Sequence, residues 1–212
     1  MPEYLTIKSD FIDETVIKKS RFIASLKRIT SESDALDFIA ANKKLHNKAN
    51  HNCYAFILGS QDQIQRASDD GEPSGTAGVP ILEVLKRNEI HDVCVIVTRY
   101  FGGIKLGAGG LIRAYAGSAA NAIEAVGLIE RLLMRTITLT IQYNQLDTLN
   151  HWLQQHNYPT PTIEYGADVQ VTLPIQIDDC VNFENNITEL LSGKVTFELG
   201  EESFQEIDYI RS

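Results

Sequence analysis

The chain has 212 residues, a hydrophobic content of 43% and a formal net charge of −9 at pH 7. This length suits one large or two small domains, and the composition supplies enough apolar residues for a core. It contains no run of about 18 apolar residues, so the sequence excludes a transmembrane helix. The polar N-terminus does not resemble a signal peptide, and the three widely spaced cysteines predict a reducing compartment without a disulfide framework. We therefore expect a cytoplasmic protein with no membrane partner.

The negative charge is concentrated in the second part of the chain. Residues 1–130 contain 15 Lys and Arg against 16 Asp and Glu, whereas residues 131–212 contain 4 against 12. This asymmetry predicts two domains with different partners. Because the acidic part repels polyanions, any nucleic-acid face must lie on the first domain.

Apolar periodicity and turn residues predict mixed strands and helices in the first part. In chain order they are strands at residues 4–16 and 20–29, a helix at 30–46, a hairpin of 53–58 and 63–67, a loop at 68–78, a helix at 80–88, a strand at 93–97 and a helix at 110–126. The strand at 93–97 is a continuous apolar run, which predicts burial on both of its faces.

The pattern restarts after Gly127. We predict a strand at residues 133–143, a helix at 145–156, a hairpin of 162–165 and 169–177, a helix at 178–192 and a last strand at 195–199. The order β-α-β-β-α-β is that of a ferredoxin-like split βαβ unit. We place the boundary near residues 127–131, which gives domains 1–129 and 130–212.

A glycine-rich loop after the strand at 93–97 is the main candidate site. Its glycines allow backbone amides to approach a ligand closely, and the helix that follows adds unpaired amides and a partial positive charge. Three basic side chains flank the same loop, so we predict that it binds phosphate. The candidate residues are Arg99, Gly102, Gly103, Lys105, Gly107, Gly109, Gly110 and Arg113.

The acidic loop at residues 68–78 is a second candidate. Asp69, Asp70 and Glu72 form either a solvated turn, a Mg²⁺ site that works with ligand phosphates, or ion pairs with Arg99 or Arg113 that join the two loops. Ser74 and Thr76 lie in the same loop and would support it.

His46, His51 and Cys53 have a spacing close to that of metal ligands. No fourth ligand is evident, so we expect structural roles and no bound metal. A Cys53 nucleophile with His51 as its base is an alternative, although no third group to orient His51 can be identified.

Basic residues near the first hairpin and helix form either a solvated surface or a patch that follows a phosphate backbone. They are Lys18, Lys19, Arg21, Lys27, Arg28, Lys43, Lys44 and Lys48. Tyr100 and Phe101 either stack on exposed bases beside this patch or lie buried under the glycine loop.

Four strings carry a family resemblance: KSRFIA (residues 19–24), HNC (51–53), SDDGEPSGTAG (68–78) and TRYFGGIKLG (98–107). The chain resembles the IMPACT/YigZ family over essentially its whole length, in the two-domain bacterial form. The resemblance implies an α+β protein: an N-terminal α/β domain like domain IV of elongation factor G, with the ribosomal-protein-type fold, and a C-terminal ferredoxin-like domain like domain V of that factor.

The resemblance also implies a role in translation. Eukaryotic members control translation through a ribosome-associated, kinase-activating partner and carry an additional RWD domain, which we expect this chain to lack. For bacterial members the family implies RNA or ribosome association without an established reaction.

Three functions remain open from the sequence. The first is a translation-associated protein that binds RNA or the ribosome through the glycine-rich loop. The second is a Mg²⁺-dependent enzyme that acts on a phosphate ester or nucleotide, with Mg²⁺ at Asp69, Asp70 and Glu72. The third is a protein-interaction module that uses the acidic C-terminal domain. We expect a binding protein rather than an enzyme, and no cofactor.

Overall fold

The computed structural model describes residues 4–209. Its contacts divide the chain into two compact units. The first contains the described residues up to Arg131 and those from Glu206 onward, and the second is Leu132–Gln205. The division after Arg131 lies close to the boundary that the sequence suggests. Helices and antiparallel sheets occur in both units, so the fold is mixed α and β.

The first unit is built on an antiparallel sheet in the order β2-β3-β6-β4-β5. The strands of this unit are β1 (Tyr4–Ile7), β2 (Phe11–Ile17), β3 (Ser20–Arg28), β4 (His51–Leu58), β5 (Ile64–Ser68) and β6 (Val93–Tyr100), and its helices are α1 (Glu32–Leu45), α2 (Gly78–Arg87) and α3 (Ala108–Val126). The central position of β6 places it between β3 and β4, and both partners run antiparallel to it.

Alternate residues of β6 enter two different apolar clusters. Val93, Val95 and Val97 pack into the cluster that contains residues of α2 and α3, whereas Cys94 and Ile96 pack into the cluster that contains residues of α1. All five are buried. The prediction that this run is covered on both faces is therefore confirmed, and the end of β6 is held rigidly where the glycine-rich loop begins.

The predicted strand at residues 4–16 is wrong as a single element. β1 and β2 are separate strands, and β1 pairs with the start of β7, from Tyr4 opposite Arg131 to Ile7 opposite Leu128. The polar residues Lys8, Ser9 and Asp10 lie between the two strands, but this local pattern does not show that the strands have different partners. The Asp10 carboxylate, just before β2, accepts a hydrogen bond from the amide of Arg28, the last residue of β3.

The second unit has the predicted order β-α-β-β-α-β. Its elements are β7 (Leu128–Ile141), which begins in the first unit, α4 (Leu146–Gln155), β8 (Thr162–Tyr165), β9 (Val169–Gln176), α5 (Cys180–Leu190) and β10 (Thr196–Tyr209), which ends in the first unit. Single 3₁₀ turns precede both helices. β7 pairs with β9 and with β10, and β9 pairs with β8. One apolar cluster joins residues of both helices to the sheet.

The last strand is longer than the predicted span of residues 195–199. Residues beyond Leu199 are acidic and exposed, so they give no apolar alternation from which a strand could be predicted. Ion pairs of Arg135 with Glu202, of Arg28 with Glu206 and of Lys8 with Asp208 hold this part of β10. No helix in residues 4–209 is long and apolar enough to span a bilayer.

Candidate functional site

The first part of the glycine-rich loop is fixed against the hairpin of β2 and β3. The Phe101 amide donates to Asn50 Oδ1 at 2.8 Å, and the Gly102 amide donates to Ser20 Oγ at 3.1 Å. A Cβ atom at Gly102 would lie 2.0 Å from the carbonyl carbon and oxygen of Lys19. Only glycine fits there, so Gly102 serves the packing of the loop rather than a ligand.

The second part of the loop is open. A Cβ atom at Gly103 or Gly107 would meet nothing within 4 Å. Within residues 4–209, the amides of residues 103–110 have no hydrogen-bond acceptor, and the first bond of the helix is the one from the Leu111 amide to the Gly107 carbonyl. The amides on the helical side of the loop are therefore unpaired within the described residues, and their role in binding a ligand stays a prediction.

The N-terminus of α3 differs from those of α1 and α2. Ser31 Oγ accepts from the Asp34 amide at the start of α1, and the Asp69 carboxylate accepts from amides at the start of α2. The N-cap of α3 is Gly107, which has no side chain to accept, and the first turn contains no acidic residue. The 19-residue helix α3 thus leaves its partial positive charge uncompensated by the described residues.

From the sequence we expect the three basic side chains to flank one loop, but in the structure they do not converge. Arg99 is 5% exposed, and its Nη1 lies 2.6 Å from Glu72 Oε1. Lys105 is exposed and lines a cleft together with Arg99, whereas Arg113 lines a second cleft together with Lys18. Both clefts include Leu106, and both reach the first residues of α3. Lys105 and Arg113 thus line different clefts at the same helix end, and the charges do not meet at one point.

The acidic loop has its carboxylates engaged within the protein. Asp69 accepts from the amides of Gly75, Ala77 and Gly78 at 2.8 to 3.0 Å. Burial opposes ionisation of Asp69, but these three amides outweigh burial and hold the pKa of the carboxyl below its usual value. Asp70 accepts from Lys43 Nζ at 2.6 Å and from the Asn52 amide at 2.7 Å.

Glu72 is the centre of a buried polar network. Its Oε1 accepts from Arg99 Nη1 and, at 2.8 Å, from the hydroxyl of Tyr115 on α3. Its Oε2 lies 3.9 Å from His51 Nε2. Burial is the main cause that raises the pKa of Tyr115, so the phenol remains a donor. Of the three possibilities for the acidic loop, the structure shows the ion pair that joins it to β6.

The three acidic side chains of this loop therefore point to different partners. No group of three or more His, Cys, Asp and Glu side chains in the described part of the chain is placed to hold a metal ion. Ser74 is exposed, and the Thr76 hydroxyl donates to the Pro73 carbonyl at 2.6 Å, which closes the turn. The Mg²⁺ interpretation receives no support from this geometry.

His46, His51 and Cys53 also have separate contacts. His46 Nδ1 lies 3.0 Å from the Tyr100 hydroxyl, and His51 Nδ1 lies 2.9 Å from the Asp70 carbonyl. The Cys53 thiol donates to the Asp69 carbonyl at 2.9 Å, and burial raises the pKa of Cys53 to about 12. A thiol with that pKa is not a thiolate at neutral pH, so this geometry argues against a Cys53 nucleophile.

Several basic residues of the predicted patch are already paired. Arg21 forms an ion pair with Glu14 and lies over the Tyr100 ring, Lys43 binds Asp70, and Arg28 binds Glu206. The exposed patch members for which no ion pair occurs within residues 4–209 are Lys18, Lys19, Lys44 and Lys48. Phe101 is 45% exposed, which favours the interpretation that it is available to a ligand.

Sequence reasoning missed two members of the network, Ser20 and Tyr115. Ser20 is fully buried and accepts a hydrogen bond from the Gly102 amide, and the buried Tyr115 of α3 donates one to Glu72. A tyrosine among the alanines of α3 was the available signal, because a buried phenol needs a hydrogen-bond partner.

Both candidate loops lie within the part of the chain that matches a known family. Residues 18–123 match the Impact N-terminal domain, and residues 139–194 match a domain of unknown function, DUF1949. The chain is 44% identical over 203 residues to "IMPACT family member YvyE" of Bacillus subtilis (strain 168), which covers 96% of this chain and 94% of that protein. This chain belongs to the IMPACT family.

Other IMPACT-family comparisons agree with the two-domain arrangement. "IMPACT family member YigZ" of Escherichia coli (strain K12) is 32% identical over 181 residues, which cover 84% of this chain and 89% of that protein. A solved structure described as "Crystal structure of an hypothetical protein" has a TM-score of 0.60 and 29% identity, over 95% of this chain and 98% of that one. The predicted family membership is confirmed over nearly the whole chain.

Proposed function

We propose that this IMPACT-family protein acts in translation by binding structured RNA, including RNA of the ribosome, through the open half of its glycine-rich loop. The observation that carries this proposal is the row of unpaired amides from Gly103 to Gly110 at the N-terminus of α3. Lys105 and Arg113 are exposed on either side of that helix end. Amides at a helix start together with basic side chains form a phosphate-binding surface.

The charge distribution supports the same surface. Residues 131–212 carry the greater part of the net negative charge, so RNA approaches the first unit. The acidic loop beside the glycine-rich loop cancels only part of the attraction, because Asp70 and Glu72 are paired with Lys43 and Arg99. The charge that remains, on Asp69, is held by the amides of Gly75, Ala77 and Gly78. The exposed cations Lys18 and Lys19 extend the positive surface from the same end of the β2–β3 hairpin.

The family resemblance gives this surface its biological setting. The sequence resemblance implies domains like domains IV and V of elongation factor G, and this expected likeness supports a role in translation. RNA binding on its own requires no bound metal and no catalytic residue, which fits the engaged carboxylates of the acidic loop.

A salt titration tests the proposal. Binding of a structured ribosomal RNA fragment to the full chain should weaken steadily between about 50 mM and 200 mM salt, because each phosphate contact releases counterions. Lys105→Ala and Arg113→Ala should each reduce the slope of log affinity against log salt by about 1. The charge-matched controls are Lys194→Ala in the second unit and Arg87→Ala at the end of α2, both exposed. No measurable affinity at low salt, or equal effects of controls and test variants, would overturn the proposal.

A further inference from the structure

The cleft beside the N-terminus of α3 has a buried, charged floor. Arg99 and Glu72 line it and are 5% and 8% exposed, so they form its deepest part. Lys105 and Phe101 line its rim, and Gly107 and Ala108 bring in the start of the helix. The cleft has a volume of about 370 Å³. That volume is within the range of sites for small ligands and single groups of larger ones.

The floor retains an unsatisfied donor. Arg99 Nη1 binds Glu72, and Nη2 lies 3.5 Å from Ser20 Oγ. Arg99 Nε is buried and has no hydrogen-bond partner within the described residues. A buried donor without a partner costs free energy, so an acceptor atom that reached Arg99 Nε through a small shift of the cleft floor would recover part of that cost. This observation is independent of the helix end.

The charges of the cleft favour an anion. The carboxylate of Glu72 is balanced by Arg99 and also accepts from Tyr115, so the floor contributes no net charge. Lys105 and the unpaired amides of α3 then make the cleft positive as a whole. An oxyanion that enters it meets donors on the floor, on the rim and at the helix start.

The rim also offers an aromatic surface. The guanidinium carbon of Arg99 lies 5.4 Å from the centroid of the Phe101 ring, and 45% of Phe101 remains exposed. An exposed aromatic ring beside a phosphate-binding group is suited to stacking a nucleic-acid base. Pro73, Leu106 and Leu111 also line the cleft and make part of its wall apolar.

We infer that this cleft binds a terminal phosphate group, at an end of an RNA chain or on a free nucleotide, with the attached base stacked on Phe101. A terminal phosphate has three free oxygens and a charge between about −1.5 and −2 at pH 7, whereas a phosphodiester has two free oxygens and a single charge. The donors at the helix start, on Lys105 and on the floor suit the larger set of acceptors. This inference rests on the proposed function and specifies the end of the RNA that it recognises.

The experiment compares one short single-stranded RNA in three forms: with hydroxyl ends, with a 5′-phosphate and with a 3′-phosphate. Binding to the full chain is measured by fluorescence anisotropy at fixed salt, with AMP and adenosine as competitors. We expect one phosphorylated form to bind about tenfold more tightly than the hydroxyl form, a gain typical of one strong charge-assisted contact. We also expect AMP, but not adenosine, to compete, and the preferred RNA end identifies the natural source of the phosphate.

The outcomes separate this inference from the proposed function. Equal binding of all three RNAs, without competition by AMP, would overturn the cleft assignment and leave RNA binding intact. Binding of AMP over adenosine without RNA binding would support the cleft and overturn the proposed function. Failure of every ligand to bind would overturn both.

A backbone variant tests the helix end directly. Ala108→Pro removes one amide donor at the first helical position, where the fixed φ of proline is tolerated, and it changes no side-chain charge. It should reduce the preference for the phosphorylated RNA about fivefold, while Ala108→Ser, which keeps the amide, should not. If Ala108→Pro does not fold, Lys105→Gln should give the same reduction. A full preference retained in a folded Ala108→Pro or Lys105→Gln protein would contradict the inference.

Discussion

The acidic loop at residues 68–78 and the glycine-rich loop at residues 101–110 both contain glycines and charged residues and both lead into a helix. They differ in whether the amides at the helix start are hydrogen-bonded within the protein. In the acidic loop, the Asp69 carboxylate accepts hydrogen bonds from the amides at the start of α2. In the glycine-rich loop, the amides at the start of α3 have no acceptor within residues 4–209. The amides at the start of α2 are therefore bonded within the protein, whereas those at the start of α3 remain available as donors to a ligand.

The difference shows that charged or glycine-rich sequence is not by itself a site. Asp69, Asp70 and Glu72 are the most conspicuous acidic group in the first unit, yet each binds a different part of the protein. What makes a binding surface here is the group that the fold leaves without a partner. The variants below alter one loop at a time, so each measures one side of this comparison.

The largest effect should come from the buried ion pair that links the two loops. Glu72→Ala leaves Arg99 charged, buried and unpaired, and should lower the free energy of unfolding by about 3–5 kcal/mol. Urea denaturation followed by circular dichroism measures the loss. Glu83→Ala, at an exposed position of α2, is the control and should change stability by less than about 0.5 kcal/mol. A loss below about 1 kcal/mol for Glu72→Ala would show that the pair is not essential to the fold.

Gly102→Ala should have the next largest effect. The added Cβ atom would overlap the backbone of Lys19, which cannot move without breaking the β2–β3 turn, so we expect a loss of about 3 kcal/mol. Gly103→Ala is the comparison, because its φ of +84° is strained for alanine but the space around it is open. It should cost only about 1 kcal/mol. Equal melting temperatures for the two variants would refute the close packing of Gly102.

Asp69→Asn should destabilise the protein moderately and in a pH-dependent way. The neutral amide accepts more weakly at the start of α2, so we expect a loss of about 1 kcal/mol at pH 7. The pKa of Asp69 is depressed in the folded protein, so its stabilising contribution is complete above the unfolded pKa of about 4. The contribution is lost as the pH falls through the folded pKa.

The pH dependence gives a sharp check on this reading of Asp69. The stability difference between wild type and Asp69→Asn, from denaturation curves at several pH values, should therefore shrink below about pH 4. Asp37→Asn, at an exposed position of α1, should show no comparable pH dependence. A difference that grows toward acid pH would have the wrong sign for a carboxylate that the folded protein keeps ionised.

The smallest expected effect is a gain in stability. Gly117 lies in the interior of α3, and a Cβ atom there meets nothing within 4 Å. Gly117→Ala should therefore stabilise the protein by about 0.5–1 kcal/mol through lower backbone entropy in the unfolded chain. Thermal unfolding measures the gain, and RNA binding should be unchanged because the residue is about two turns from the open loop. Destabilisation would show that another group packs against this position.

The sequence allowed the local parts of this site to be predicted, but not the long-range contacts. The uninterrupted apolar run at 93–97 correctly predicted a strand buried on both faces. The helix after the glycines was also predicted, but from residue 110, whereas α3 begins two residues earlier at Ala108. An ion pair between Arg99 and the acidic loop was one of the alternatives open from the sequence. The burial of that pair and the Tyr115 hydroxyl that donates to Glu72 could not be predicted, because these residues are distant in sequence and meet only in the folded sheet and helices. For the same reason, β1 could not be separated from β2, since its partner is β7.

The central claim is that the amides at the start of α3 are free to bind an anion, whereas those at the start of α2 are not. A titration of the ¹⁵N-labelled full chain with inorganic phosphate tests it most directly. The amide resonances of Ala108, Gly109 and Gly110 should shift and saturate together with those of Lys105, while the amides of Ala77 and Gly78, which Asp69 already binds, should not respond. Shifts of the same size at both helix starts, or no shift at α3 while other amides respond, would contradict the claim that the fold leaves the glycine-rich loop open to an anion.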